Sequence, residues 1–123
     1  MASRDSLGHR GEAEAAKYLR GLGYRILSLR ERVLRGDIDI IALDDRTVVF
    51  VEVRSRSDTK HGHPAETIGY HKQRRVVDLA NAYIHRHGLQ DCHVRIDVVT
   101  VTLTGTQGAA NIEHFQNAFD SPA

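Results

Sequence analysis

Two apolar runs separated by a short polar turn dominate the hydrophobic pattern: residues 36–43 and 47–54, on either side of Asp44-Asp45-Arg46. Both runs are rich in β-branched and aliphatic residues, and the pattern predicts a β-hairpin. With the turn centred on Asp45-Arg46, Ile41 lies opposite Phe50 and Leu43 opposite Val48. On the other face Ile38 meets Val53, Ile40 meets Val51 and Ala42 meets Val49. One face is therefore apolar throughout. The other is apolar near the turn and charged at its far end, where Asp39 lies opposite Glu52 and Asp37 opposite Arg54.

The same reading predicts the remaining elements. Residues 12–22 form a first helix, with Ala13, Ala16, Leu19 and Leu22 at helical spacing and Gly23 as its stop. Residues 24–32 read as a strand of imperfect alternation. Residues 55–64 are polar, with Gly62 and Pro64, and read as a loop. A second helix runs from about Thr67 to Arg86, with Ile68, Lys72, Val76, Leu79, Ala80 and Tyr83 on one stripe and Gly88 as terminator. Residues 93–102 form a strand, with Val94, Ile96 and Val98 on one face and Val99 and Val101 on the other. Residues 104–110 read as a loop, and residues 112–115 as a short edge strand. The order is α-β-β-β-α-β, with a last short β. A hairpin apolar on both faces needs cover on both sides, so the chain is expected to be an α/β domain with a mixed central sheet between helices.

Composition narrows the class. The 123 residues suit one domain, 1–123, and 41% hydrophobic against 27% charged residues excludes a disordered chain. One cysteine, Cys92, excludes an internal disulfide and a cysteine-based zinc cluster. No apolar run approaches a membrane span and the N-terminus has no signal core, so the expectation is a cytoplasmic protein with no membrane partner. The net charge is only +1, but residues 54–75 carry six Lys or Arg against two acids. Arg56, Lys60, Lys72, Arg74 and Arg75 are thus candidate nucleic-acid contacts beside the carboxylate end of the hairpin.

The paired acids carry the chemistry. Carboxylates directly across a strand pair repel by about 3 kcal/mol at ~5 Å and an effective dielectric near 20. A divalent cation reverses the sign, and Mg²⁺ accepts such oxygens together with water and phosphate. The competing reading leaves Asp39 and Glu52 as solvated charges at a hairpin end. Arg54 shares their face and can clamp a phosphate or pair with Asp37. Glu12 lies on the side of Ala16 and Leu19, as a site acid or as a favourable charge near a helix start. Lys72 suits a phosphate contact or a snorkelling surface lysine. His61 and His63 read as solvated, and Asp97 as a hydrogen-bonding structural acid.

A resemblance adds to these readings. Gly11-Glu12-Ala13-Glu14-Ala15-Ala16, Tyr18-Leu19, Gly36-Asp37-Ile38-Asp39-Ile40-Ile41-Ala42 and Val49-Phe50-Val51-Glu52-Val53-Arg54-Ser55-Arg56 stand in order along the chain. Lys72, Arg95-Ile96-Asp97-Val98-Val99 and Asn117-Ala118-Phe119 follow. The whole resembles the YraN-like family of small bacterial proteins, which are similar to nucleases of the restriction-endonuclease-like PD-(D/E)XK fold and, distantly, to archaeal Holliday junction resolvases. The resemblance implies a three-layer fold and a Mg²⁺- or Mn²⁺-dependent endonuclease acting on DNA, branched or damaged DNA included. It implies that Asp39, Glu52 and the Val53 carbonyl ligate the metal, that Arg54 occupies the position of the water-positioning lysine, and that Glu12 is an accessory acid. It is compatible with a homodimer. The chain departs from the pattern with Asp for Glu at position 37 and Arg for Lys at position 54. Arginine stays protonated, so position 54 suits phosphate binding rather than proton abstraction, and a binding module that keeps the fold without cleavage is the alternative.

Overall fold

The structure, a computed structural model, describes residues 4–57, 69–104 and 109–119. In chain order these form α1 (Arg4–Gly21), β1 (Arg25–Val33), β2 (Gly36–Asp44), β3 (Thr47–Arg56), α2 (Tyr70–Arg86), β4 (His93–Thr104) and β5 (Ala109–Phe115). The strands make one five-stranded sheet in sequential order, antiparallel except for the parallel β3–β4 pair that α2 bridges. Burial assigns a helix to each face. Ala15, Ala16 and Leu19 of α1 pack on Ile40, Ala42, Val49, Val51, Val99 and Val101. Val76, Leu79, Ala80, Tyr83 and Ile84 of α2 pack on Ile41, Val48, Phe50 and Ile96. The expected three-layer α/β architecture is what the chain adopts.

The central hairpin has the predicted register. Asp44 pairs with Thr47, Leu43 with Val48, Ile41 with Phe50 and Ile40 with Val51, around a turn in which Asp45 adopts a left-handed φ of 55°. Four expectations change. First, α1 begins at Arg4 rather than at residue 12, so Glu12 lies mid-helix and the helix-start explanation of its charge fails. Gly8 and Gly11 hid this start, because glycine is a poor helix residue. Gly11 serves packing instead. A Cβ there would overlap the Ser55 Oγ and stand 2.7 Å from the Ser55 Cβ, so α1 crosses β3 at a distance only glycine permits. The buried face of α1 is Ala15, Ala16 and Leu19, whereas Ala13 and Leu22 are exposed.

Second, Ile38 leaves the face of Ile40 and joins the α2-side core with Ile41 and Phe50. The β1–β2 register passes from Leu29–Ile40 to Glu31–Ile38, and between them Arg30 adopts a left-handed φ of 55°. β2 changes face at Asp39. Third, a register shift between Ile26 and Ser28 explains the imperfect alternation of β1. Fourth, β4 and β5 pair from Val98–Phe115 to Thr104–Ala109, so the expected 104–110 loop is strand at both ends. The small residues Ala109 and Ala110 carry little strand signal of their own, and pairing with β4 supplies it.

Candidate functional site

The β2–β3 register extends only to Ile40–Val51, while β3 continues along β4 to Arg56–Thr102 and β2 along β1 to Gly36–Val33. Past Ile40–Val51 a side chain enters the pairing. The Val53 N–H donates to the Asp39 carboxylate at 2.9 Å. A strand residue directs its N–H and C=O to the same side, so the Val53 carbonyl also faces the Asp39 side of β3. Asp39, Glu52, Val53, Arg54 and Ser55 line one cavity of about 350 Å³, closed by Glu12 of α1 and Lys72 of α2.

Each acid has a distinct environment. Glu52 is buried on the α2 side, where the Lys72 ammonium meets its Oε1 at 3.0 Å. Glu12 is held by the Arg30 guanidinium at 2.5 Å across the α1–β1 boundary. Asp39 is pushed up to about 7. Burial is the main cause and the Glu52 charge the next; the Val53 N–H and Lys72 act against them. The Glu52 charge thus adds to burial in raising the Asp39 carboxyl, and the Lys72 ammonium opposes it. The expected cross-strand oppositions of Asp39 with Glu52 and of Asp37 with Arg54 both lie beyond the paired register, which ends at Ile40–Val51. Asp39 and Glu52 still share the cavity, whereas the Asp37 carboxylate lies 3.5 Å from Arg32. Arg54 lines the cavity.

Among the described residues no three His, Cys, Asp or Glu side chains form a ready metal cage. The donor set instead suits Mg²⁺, which keeps several waters and takes only one or two carboxylates. Two hard carboxylates and a strand carbonyl directed beside them fit such an ion.

The candidate basic residues divide. Lys72 belongs to the acid cleft, which a surface-snorkelling reading does not anticipate. Arg74 and Arg75 line a groove beside the β1–β2 turn, together with Arg35, which the sequence pattern did not single out because it lies 39 residues earlier than Arg74. Arg56 is half-buried on β3 opposite Thr102 of β4. Lys60, His61 and His63 lie outside the described residues.

Asp97 is the structural acid expected. It is fully buried and accepts from Arg95 Nε at 3.0 Å, His114 Nε2 at 2.7 Å and the Asn117 N–H at 3.0 Å. Burial opposes its charge, but His114 and Arg95 outweigh that and hold its carboxyl below the usual carboxylate range. An ionised Asp97 requires Nε2 to be the donor, and the Tyr18 hydroxyl lies 3.3 Å from the other ring nitrogen. This network ties β5 and α1 to β4. Replacing His114→Phe removes one charge-assisted bond and leaves the other donors, so it should cost about 1–2 kcal/mol in urea unfolding. No change would mean that Arg95 and Asn117 satisfy Asp97 alone.

Among the described residues no helix is long and apolar enough to cross a membrane. Comparison with known proteins gives one consistent result. The family described as "Uncharacterised protein family UPF0102" matches residues 11–101. A UPF0102 protein of Chromohalobacter salexigens is 44% identical over 110 residues, covering 89% of this chain and 87% of the relative. One of Anaeromyxobacter dehalogenans is 44% identical over 117 residues, covering 95% and 86%. One of Persephonella marina is 41% identical over 113 residues, covering 92% of each.

Proposed function

The chain belongs to the uncharacterised protein family UPF0102, and from the acid cleft between its central strands we propose that it is a divalent-metal-dependent nuclease acting on DNA. The observation that carries this reading is the shared cavity of Asp39, Glu52 and Val53 in which Asp39 is pushed up to about 7, flanked by Lys72 and Arg54. Such a set of oxygens beside cations suits a metal and a phosphate together.

Asp39, Glu52 and the Val53 carbonyl would hold Mg²⁺ or Mn²⁺. When bound, that ion supplies Lewis acidity at the phosphate and lowers the pKa of water. Lys72 fixes the orientation of Glu52 and brings an ammonium to the phosphate side of the cleft, the charge that a motif lysine would bring from β3. Arg54 binds phosphate oxygens through a guanidinium that stays protonated, so it stabilises charge without removing a proton. Glu12, neutralised by Arg30, bounds the cleft on the α1 side.

A second reading has its own support. Arg54 at the lysine position and a Glu52 already paired with Lys72 favour a nucleic-acid-binding module without cleavage. One assay separates the two. Labelled duplex, branched and single-stranded DNA are incubated with the chain in Mg²⁺ or Mn²⁺. Slow cleavage is expected, faster in Arg54→Lys and lost in a folded Asp39→Asn variant. Cleavage retained in Asp39→Asn would remove this cleft from the reaction. Binding without cleavage in every folded variant would establish the second reading.

A further inference from the structure

The groove beside the acid cleft has features that phosphate binding alone does not explain. It measures about 940 Å³ and is lined by Leu34, Arg35, Lys72, Arg74, Arg75 and Leu79. Lys72 lines both the groove and the cleft, so the two are adjacent. Among the described residues that line it, four cations stand against one acid, Asp78, which lies 3.8 Å from Arg74. The floor is kept clear by Gly36. A Cβ there would lie 2.9 Å from the Arg75 guanidinium and 3.0 Å from Leu79 Cδ1. Arg75 lies across this glycine and donates to the Arg35 carbonyl at 3.1 Å, which fixes its plane.

Leu34 is the unexpected residue. It occupies the first position of the two-residue β1–β2 turn with a φ of 53°, a conformation that favours glycine, and its side chain is 63% exposed. Turn chemistry calls for Gly or Asn at such a position, and solubility calls for a polar side chain. A strained, solvated leucine at the mouth of a cationic groove satisfies neither. It does suit contact with an apolar ligand face.

We propose that this groove holds an unpaired nucleic-acid strand leading into the acid cleft, with Arg35, Arg74 and Arg75 on its phosphates and Leu34 against a base. The proposal rests on the nuclease reading above and names its substrate class. A duplex turns its phosphates outward and hides its base faces, so it would leave the exposed Leu34 without an apolar contact. An unpaired strand offers both phosphates and apolar base faces, the combination that single-strand sites use.

The test is fluorescence anisotropy of the full chain in EDTA, which isolates binding from cleavage. The probes are a labelled 12-nucleotide oligo-dT, the matching oligo-rU and a 12-base-pair duplex. Single strand is expected to bind about tenfold tighter than duplex, as strand-selective stacking contacts allow. Leu34→Asn suits the left-handed turn and so preserves the fold. It should weaken single-strand binding about fivefold with an unchanged salt slope, because only an apolar contact is lost. The exposed pair Arg35→Gln and Arg74→Gln should lower that slope by about 1.4, at roughly 0.7 per phosphate contact on single strands. The oligo-rU arm sorts RNA from DNA within the proposal. Duplex binding as tight as single strand, or an unaffected Leu34→Asn variant, overturns this inference and leaves the nuclease reading standing. Absence of binding to all three probes also overturns this inference, whereas the nuclease reading is decided by the cleavage assay with metal and branched DNA.

Discussion

Gly11→Val should lower the unfolding free energy by about 3 kcal/mol, the upper range for overpacking a well-filled interior. For a chain of this size that is roughly a 10 °C fall in Tm. Any side chain at position 11 enters space held by Ser55 of β3, and a β-branched one in a helix has little rotamer freedom to escape. α1 cannot simply lift, because Ala15, Ala16 and Leu19 are seated on the sheet a turn further on. Ser55→Gly in the same chain removes both obstructing atoms and should recover part of the loss. Gly8→Ala is the contrast. A Cβ there meets nothing within 4 Å, so alanine should stabilise by up to about 1 kcal/mol through helix propensity. Urea unfolding of the variants checks the set. If Gly11→Val is as stable as the parent, α1 does not cross β3 at Ser55.

Asp39→Asn should make the metal-free chain more stable at pH 8.5 by about 2 kcal/mol. The sign follows from the direction of the shift. The carboxyl titrates at about 7 when folded against 3.8 as its ordinary value. The folded state therefore holds its proton more tightly, and the stability this contributes is present below about pH 4 and lost as pH rises through 7. Three pH units would correspond to about 4 kcal/mol at 1.36 per unit; partial solvation and the coupling to Glu52 reduce this to roughly half. Asparagine keeps an acceptor for the Val53 N–H and carries no charge to repel Glu52. The gain should shrink as pH falls through 7 and vanish near pH 4. Millimolar Mn²⁺ should reverse the order. At a hundred times Kd a bound ion adds about 2.7 kcal/mol to the wild type, whereas the neutral amide of the Asp39→Asn variant lacks the charge to hold it. Thermal melts at three pH values, with and without Mn²⁺, measure both effects. A wild type unmoved by Mn²⁺ while Asp39→Asn is stabilised would leave two repelling acids and no metal site.

Much of this was legible in the chain because it depends on periodicity. The hairpin register as far as Ile40–Val51 follows from the apolar alternation and the Asp45-Arg46 turn. Beyond it Asp39 comes to the cavity of Glu52 through the Val53 N–H rather than through the expected cross-strand pairing. Burial of Val76, Leu79, Ala80 and Tyr83 follows from one helical stripe. What escaped was tertiary. The reversal of β2 at Asp39 depends on the left-handed Arg30 across the ladder, and no local pattern marks it. The contact of Lys72 with Glu52 depends on how α2 crosses the sheet. The groove needs Leu34 and Arg35 from one turn and Arg74 and Arg75 from a helix nearly forty residues later. The early start of α1 was hidden because Gly11 answers to β3 rather than to the helix that contains it.

The parallel β3–β4 pair has a consequence for the order of folding. Glu12, Asp39, Glu52 and Val53 all precede α2, on one helix and two hairpin-linked strands whose contacts are close in sequence. Val51, by contrast, pairs with Asp97, far along the chain. Contacts of long sequence separation form late, because loop closure must precede them. During synthesis the acids can therefore assemble before Lys72 is present to neutralise Glu52, and β3 meanwhile exposes an apolar, unpaired edge. A divalent cation captured at that stage would relieve the charge while the rest of the sheet is still to come. An intermediate caught without one would combine like-charge strain with an open strand edge, the circumstance in which chains aggregate.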